Sequence, residues 1–142
     1  MQTLTARDLQ QRLRGAGVLP TLQRMAVASV MLARPVHLTA EQVLDRARQT
    51  LPEISRATVY AVLRHFVRQG LLKELPIEGA STVYDSNLSP HHHLYDVDTG
   101  AVVDLPAEAL QVAGVAQAVQ GLSLAGVDVI LRVRGLGAAP PA

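Results

Sequence analysis

Three histidines stand in a row at His91, His92 and His93, inside the stretch SPHHHLYDVDTG that covers residues 89–100. Imidazoles at this density have three readings: a metal site, a polar loop beside Pro90, or a piece of core. On an extended strand the side chains alternate between faces, so His91 and His93 share one face and His92 points to the other. Two histidines so spaced form a chelating pair, but a metal needs one or two more ligands. The chain has no cysteine. That removes thiolate ligands, a cysteine nucleophile and any disulfide framework. Candidates for the further ligands are Asp85, Asp104 and His37. Three imidazoles with two carboxylates suit Fe²⁺, Mn²⁺ or Zn²⁺. Spacing alone leaves the loop reading open, because short motifs match by chance.

The donors need elements to position them. HHHLYDV, DTG and AVVDL predict a hairpin with Gly100 at its turn, which puts Asp104 on the strand facing the histidines. LLKEL, PIEGAS and TVYD predict an earlier hairpin that ends at Asp85. His37 stands just before LTAEQVLDRARQTL. Thr39 and Gln42 form a capping box there, and Ala40, Val43, Leu44, Ala47 and Leu51 make an apolar stripe that runs to Pro52. Two helices precede it: TARDLQQRL, with Leu9 and Leu13 one turn apart, and LQRMAVASVMLA, with Thr21 as N-cap.

Only four residues then lead to SRATVYAVLRHFVRQG, a helix capped by Ser55 and closed by Gly70. Val59, Leu63, Phe66 and Val67 face inward, while Arg56, Tyr60, Arg64 and Arg68 recur every four residues as one polar stripe. Helix-turn-helix followed by a hairpin is a winged-helix pattern. Beyond the second hairpin, the pattern predicts a helix over 107–119, a strand in VDVILRVR and a disordered tail. The fold class is therefore α+β. A winged helix-turn-helix domain covers 1–86, a small α/β domain 87–136 and the tail 137–142.

Net charge is +1 overall, yet residues 1–75 carry 11 Arg and Lys against 5 Asp and Glu, a balance of +6. Residues 76–142 carry 2 against 7, a balance of −5. The basic half suits a polyanion, and an arginine-striped helix fits the major groove of double-stranded DNA. A solvated helix face is the plainer alternative. The residues assigned to DNA are Arg24, Ser55, Arg56, Thr58, Tyr60 and Arg64. The first residues carry no apolar signal segment. The most apolar window, 110–131, is interrupted by Gln111, Gln117, Gln120, Ser123 and Asp128, which argues against a membrane span and for a cytoplasmic protein. A metal hydrolase would need a further acid near the histidines to activate water, and none is evident, so an enzyme is not expected.

The order TLQR, HLTAEQVL, ISRATVYAVLRHFVRQGLL, VYD, HHHL and GAVVDL resembles the ferric uptake regulator family of bacterial metalloregulators, from about Gly17 to Arg134. The resemblance implies a homodimeric DNA-binding transcription regulator. Each winged helix enters one half-site of a palindromic operator, and a metal sits between the DNA-binding and dimerisation domains. Carried over by position, the ligands are His37, Asp85, His91, His93 and Asp104. Three departures stand out. Many members hold a structural zinc through CxxCG, where this chain reads Asp96–Val97–Asp98–Thr99 before Gly100, so that zinc is not expected. A further metal site aligns with Gln111 and Val127 and is lost. Ala61 follows the tyrosine of the recognition helix where arginine is frequent. The cysteine-free pattern resembles the iron response branch, which is linked to iron and haem, with His92 as a further candidate ligand. Asp104 is instead similar to the peroxide-sensing branch. Iron or haem status is the first expectation for the signal, and peroxide the second.

Overall fold

Helix starts in this chain are written into short polar motifs, and the computed structural model, which describes residues 2–137, shows them in use. Thr5 accepts a hydrogen bond from the Asp8 N–H while the Asp8 carboxylate accepts one from Thr5, which opens α1 (Ala6–Gly15). Thr21 caps α2 (Leu22–Met31). Thr39 and Gln42 make the reciprocal pair that opens α3 (Ala40–Ala47), and Ser55 caps α4 (Arg56–Arg68). Each cap satisfies backbone N–H groups that have no partner within the helix. The inward stripes then define one core of Leu9, Leu13, Val27, Met31, Val43, Leu44, Val59, Leu63 and Phe66. Val62 is also buried, one position the sequence pattern did not assign.

Two details of this first unit differ from expectation. α3 stops at Ala47 rather than running to Pro52, so residues 48–55 connect the two helices of the motif. The last turn tightens instead of continuing. Gln49 N–H reaches the Arg46 carbonyl, and the Thr50 side chain reaches that of Ala47. Pro52 disfavours helical backbone at the residue before it. Leu51 is buried all the same. The second detail is a short strand, β1 (His37–Thr39), ahead of α3. It pairs antiparallel with β3 (Val83–Asp85), which also pairs with β2 (Lys73–Leu75). The wing is thus a three-stranded sheet in the order β1-β3-β2. Three residues are too few to display alternation, so β1 is legible only through its partner.

The described residues divide into two compact units between Leu88 and Ser89. In the second, β4 (His91–Asp96) is the central strand. β5 (Val102–Pro106) pairs with it antiparallel and β6 (Ile130–Val133) pairs parallel. Gly100, with φ 77°, makes the turn between β4 and β5. The helix expected over 107–119 is absent. A single 3-10 turn, Ala107–Ala109, and a four-residue helix, α5 (Val115–Ala118), stand there instead. Gly114 immediately before α5 has φ 79°, a left-handed conformation that breaks any continuous helix. The apolar periodicity of this segment concealed that break.

The two units differ in how they bury apolar surface. Every fully buried hydrophobic residue among those described lies at or before Tyr84. The second unit leaves Val112, Leu122, Leu124, Val127 and Leu131 exposed. No helix among the described residues is long and apolar enough to cross a membrane. The tail expected over 137–142 lies outside the described residues from 138 onward.

Candidate metal centre and nucleic-acid interface

Strand geometry aims the histidine triplet. On β4, His91 and His93 project from one face with ring centroids 4.5 Å apart in an edge-on arrangement. β5 brings Asp104 directly opposite His93 in the antiparallel register. The Asp104 Oδ1 oxygen lies 3.2 Å from His91 Nε2 and 3.6 Å from His93 Nε2. His91 and His93 are buried, whereas Asp104 is only partly so. The other ring nitrogen of His91, Nδ1, meets the Ser89 carbonyl oxygen. A proton on Nδ1 donated to that oxygen leaves the Nε2 lone pair directed toward Asp104, which is how a backbone acceptor prepares an imidazole to bind a cation.

His92 behaves differently. It projects from the opposite face of β4, and its Nδ1 accepts a hydrogen bond from the Val129 N–H at 3.2 Å. His93 N–H donates to the Val129 carbonyl at 3.0 Å. Backbone and side chain of the triplet together therefore fasten the start of β6 to β4. This role is structural and could not be read from spacing, because Val129 is distant in sequence.

In the first unit, the β1–β3 register sets His37 opposite Asp85. His37 Nε2 is 3.4 Å from Asp85 Oδ2. The second carboxylate oxygen, Oδ1, accepts the Asn87 N–H at 2.9 Å, so the Asp85 carboxylate is held in one orientation. Each unit thus gathers imidazole nitrogens against carboxylate oxygens. That donor set fits a borderline divalent cation such as Fe²⁺, Mn²⁺ or Zn²⁺, which imidazole and carboxylate both bind. The Asp96 carboxylate accepts backbone N–H groups from Asp98, Thr99 and Leu136.

All the residues assigned to DNA except Arg24 lie on the helix-turn-helix. Arg56 and Arg64 are exposed on α4, and Tyr60 is half-buried with its ring packed on the core. The Ser55 hydroxyl accepts the Thr58 N–H and donates to the Thr58 hydroxyl, so both side chains are engaged in the cap. Arg24 on α2 uses one guanidinium nitrogen to bond the Leu19 carbonyl at 3.0 Å. His65 lies near Arg24 and Arg68. Desolvation first, then those two arginines, hold its imidazole below the ordinary range. Glu41 was missed by sequence reasoning. Its carboxylate grips Arg56 across 15 residues of chain. Only its place in the first turn of α3, where an acid suits the helix dipole, is visible in the sequence.

Comparison with known proteins agrees with this anatomy. Residues 15–131 match the model of the ferric uptake regulator family. A peroxide-responsive repressor, PerR, of Staphylococcus saprophyticus is 36% identical over 92 residues, covering 65% of this chain. The match spans 62% of that repressor's length. The ferric uptake regulator of Vibrio cholerae superposes with a TM-score of 0.70 at 27% identity, over 89% of this chain and 99% of that one. That of Pseudomonas aeruginosa, solved with manganese, gives 0.63 at 26% identity, over 88% and 96%. With the family pattern spanning most of the sequence, and with the fold it requires in place, the chain belongs to the ferric uptake regulator family.

Proposed function

We propose that this chain is a cytoplasmic, homodimeric transcription regulator whose DNA binding depends on a divalent metal ion. The observation that carries the reading is the pair of imidazoles, His91 and His93, facing one oxygen of Asp104. With His37 and Asp85 they form the proposed ligand set. A bound divalent ion supplies the positive charge that ties imidazoles and carboxylates from distant segments into one arrangement. Such an ion shifts the protein only as far as it prefers one arrangement over another. Arg56, Tyr60 and Arg64 on α4 are the proposed groove contacts, with Arg24, Ser55 and Thr58 supporting them. Each protomer of the dimer reads one half of a palindromic operator. The second unit, which buries no apolar side chain fully among its described residues, is the proposed dimer surface. The hydrolytic reading of the histidines is set aside, since the family and its named relatives are regulators.

The signal proposed first is iron status. A specific observation favours peroxide as the second reading: the staphylococcal relatives are peroxide-responsive repressors, and the chain carries Asp104 among the candidate ligands. Haem belongs with iron in the first reading, with His92 as a candidate ligand through Nε2, since its Nδ1 accepts the Val129 N–H.

The test is metal content after anaerobic purification, with DNA affinity measured before and after chelation. Bound Fe²⁺ or Mn²⁺ and metal-dependent DNA affinity are the expected result. DNA binding that ignores chelation would make the histidines structural. Mass spectrometry after iron loading and peroxide exposure separates the signals. Oxygen added to His37 or His91 supports peroxide sensing, and unmodified histidines support iron status.

A further inference from the structure

The DNA-facing helix carries an arginine that is already partnered. Arg56 is the first residue of α4, and its Nε donates to Glu41 Oε1 at 2.6 Å while Nη2 donates to Oε2 at 3.2 Å. This is a forked, two-bond pair between the first turn of α3 and the first turn of α4. Both side chains are more than half exposed. An exposed pair of this kind contributes little to stability. The geometry is nevertheless specific, and Arg56 occupies an unfavourable position for a cation. A helix N-terminus carries the positive end of the dipole, so Arg56 gains nothing from α4 while Glu41 suits α3. The Arg56 charge is held up, and the Glu41 carboxyl is held below its ordinary range, each mainly by the hydrogen bonds to the other. Arg48 near Glu41, and Asp45 and Tyr60 near Arg56, complete the charged and titratable groups around the pair.

Two consequences follow from the chemistry of guanidinium. Using Nε–H and one Nη2–H on Glu41 leaves the Nη1 donors and the outer Nη2 hydrogen, the edge that bonds guanine O6 and N7 in the major groove. The carboxylate also cancels the arginine charge locally, so a phosphate gains little by approaching it. Glu41 further shares a hollow of about 220 Å³ with Tyr60 and with Ser81 and Thr82 of the wing, which places it among the residues presented with the recognition helix.

We propose that Glu41 is a specificity-determining residue. It holds Arg56 as an oriented reader of a base edge and withholds it from indiscriminate contact with phosphates. The inference rests on the DNA-binding reading above.

The experiment uses the full chain, metal-loaded. Its probes are a random-sequence duplex and a duplex selected from a random pool by the wild-type protein. Glu41→Gln is expected to bind the random duplex several-fold more tightly and to lose preference for the selected one. Its salt dependence on the random duplex should steepen by about 0.9 for each additional phosphate that Arg56 neutralises. Glu53→Gln, another exposed acid between α3 and α4, controls for net charge. In an Arg56→Ala background the effect of Glu41→Gln should shrink to that of the control. A Glu41→Gln protein that matches Glu53→Gln in slope and preference overturns the proposal, as does an effect that survives Arg56→Ala. Wild-type protein that binds neither duplex, with or without metal, defeats the DNA-binding reading itself and this inference with it.

Discussion

The Asp96 carboxylate accepts the backbone N–H of Leu136 at 2.9 Å, joining the turn after β4 to the segment after β6. Its other oxygen accepts the N–H groups of Asp98 at 2.8 Å and Thr99 at 3.1 Å. Asp96 is buried. One carboxylate therefore links two distant segments. Asp96→Ala should lower the melting temperature by roughly 5 °C, a shift expected when one such set of hydrogen bonds is lost from a small domain. A scanning-calorimetry trace that matches wild type would show that the link is dispensable.

The same carboxylate gives a pH signature. Backbone N–H groups, that of Asp98 first and Leu136 next, hold it below the ordinary carboxyl range. A depressed folded value means that its contribution is present above the unfolded value of about 3.9 and fades as pH falls through the folded one. Urea melts of wild type and Asp96→Asn should differ by a constant amount near neutrality and converge in acid. A gap that stays constant as pH falls, with no convergence in acid, would assign Asp96 to packing rather than to its charge.

The three histidines should part company on substitution. His91→Ala and His93→Ala are expected to lose most Mn²⁺ affinity in equilibrium dialysis, and the metal-dependent part of DNA binding with it. His92→Ala should keep both, yet lose roughly 1–3 kcal/mol of stability because the Val129 N–H loses its acceptor. Equal metal loss in all three variants would defeat the strand-face assignment.

Dimerisation should survive metal removal. The chain has no cysteine with which to build a thiolate zinc site, and Leu122, Leu124, Val127 and Leu131 are exposed in the single chain. Sedimentation velocity in strong chelator should still give a dimer at micromolar protein. Dissociation to monomer under those conditions would make metal, rather than apolar contact, the source of association.

The core of the first unit offers a calibration. Phe66 is fully buried among the helices. Phe66→Ala should cost about 3–5 kcal/mol in denaturant titrations, as truncation of a large core aromatic leaves a cavity that its neighbours cannot fill. A loss below about 1 kcal/mol would mean that the helices close around the gap.

The sequence by itself determined whatever depends on near neighbours. Thr21, Thr39 and Ser55 name three helix starts because a cap and the N–H it serves are three residues apart. Alternation alone assigns His91 and His93 to one strand face. Gly100 marks the hairpin that brings Asp104 opposite His93. The α+β class and the winged helix follow from those local signals. The tertiary structure decided what depends on partners far along the chain. β1 exists because β3 lies beside it, and that pairing turns His37 from a loop residue into the neighbour of Asp85. His92 is fastened by Val129, Arg56 by Glu41 and Asp96 by Leu136, contacts that no local periodicity encodes. The long helix expected after β5 failed for the opposite reason. Its apolar spacing was helical, but with no core to bury that stripe, the left-handed backbone at Gly114 prevailed.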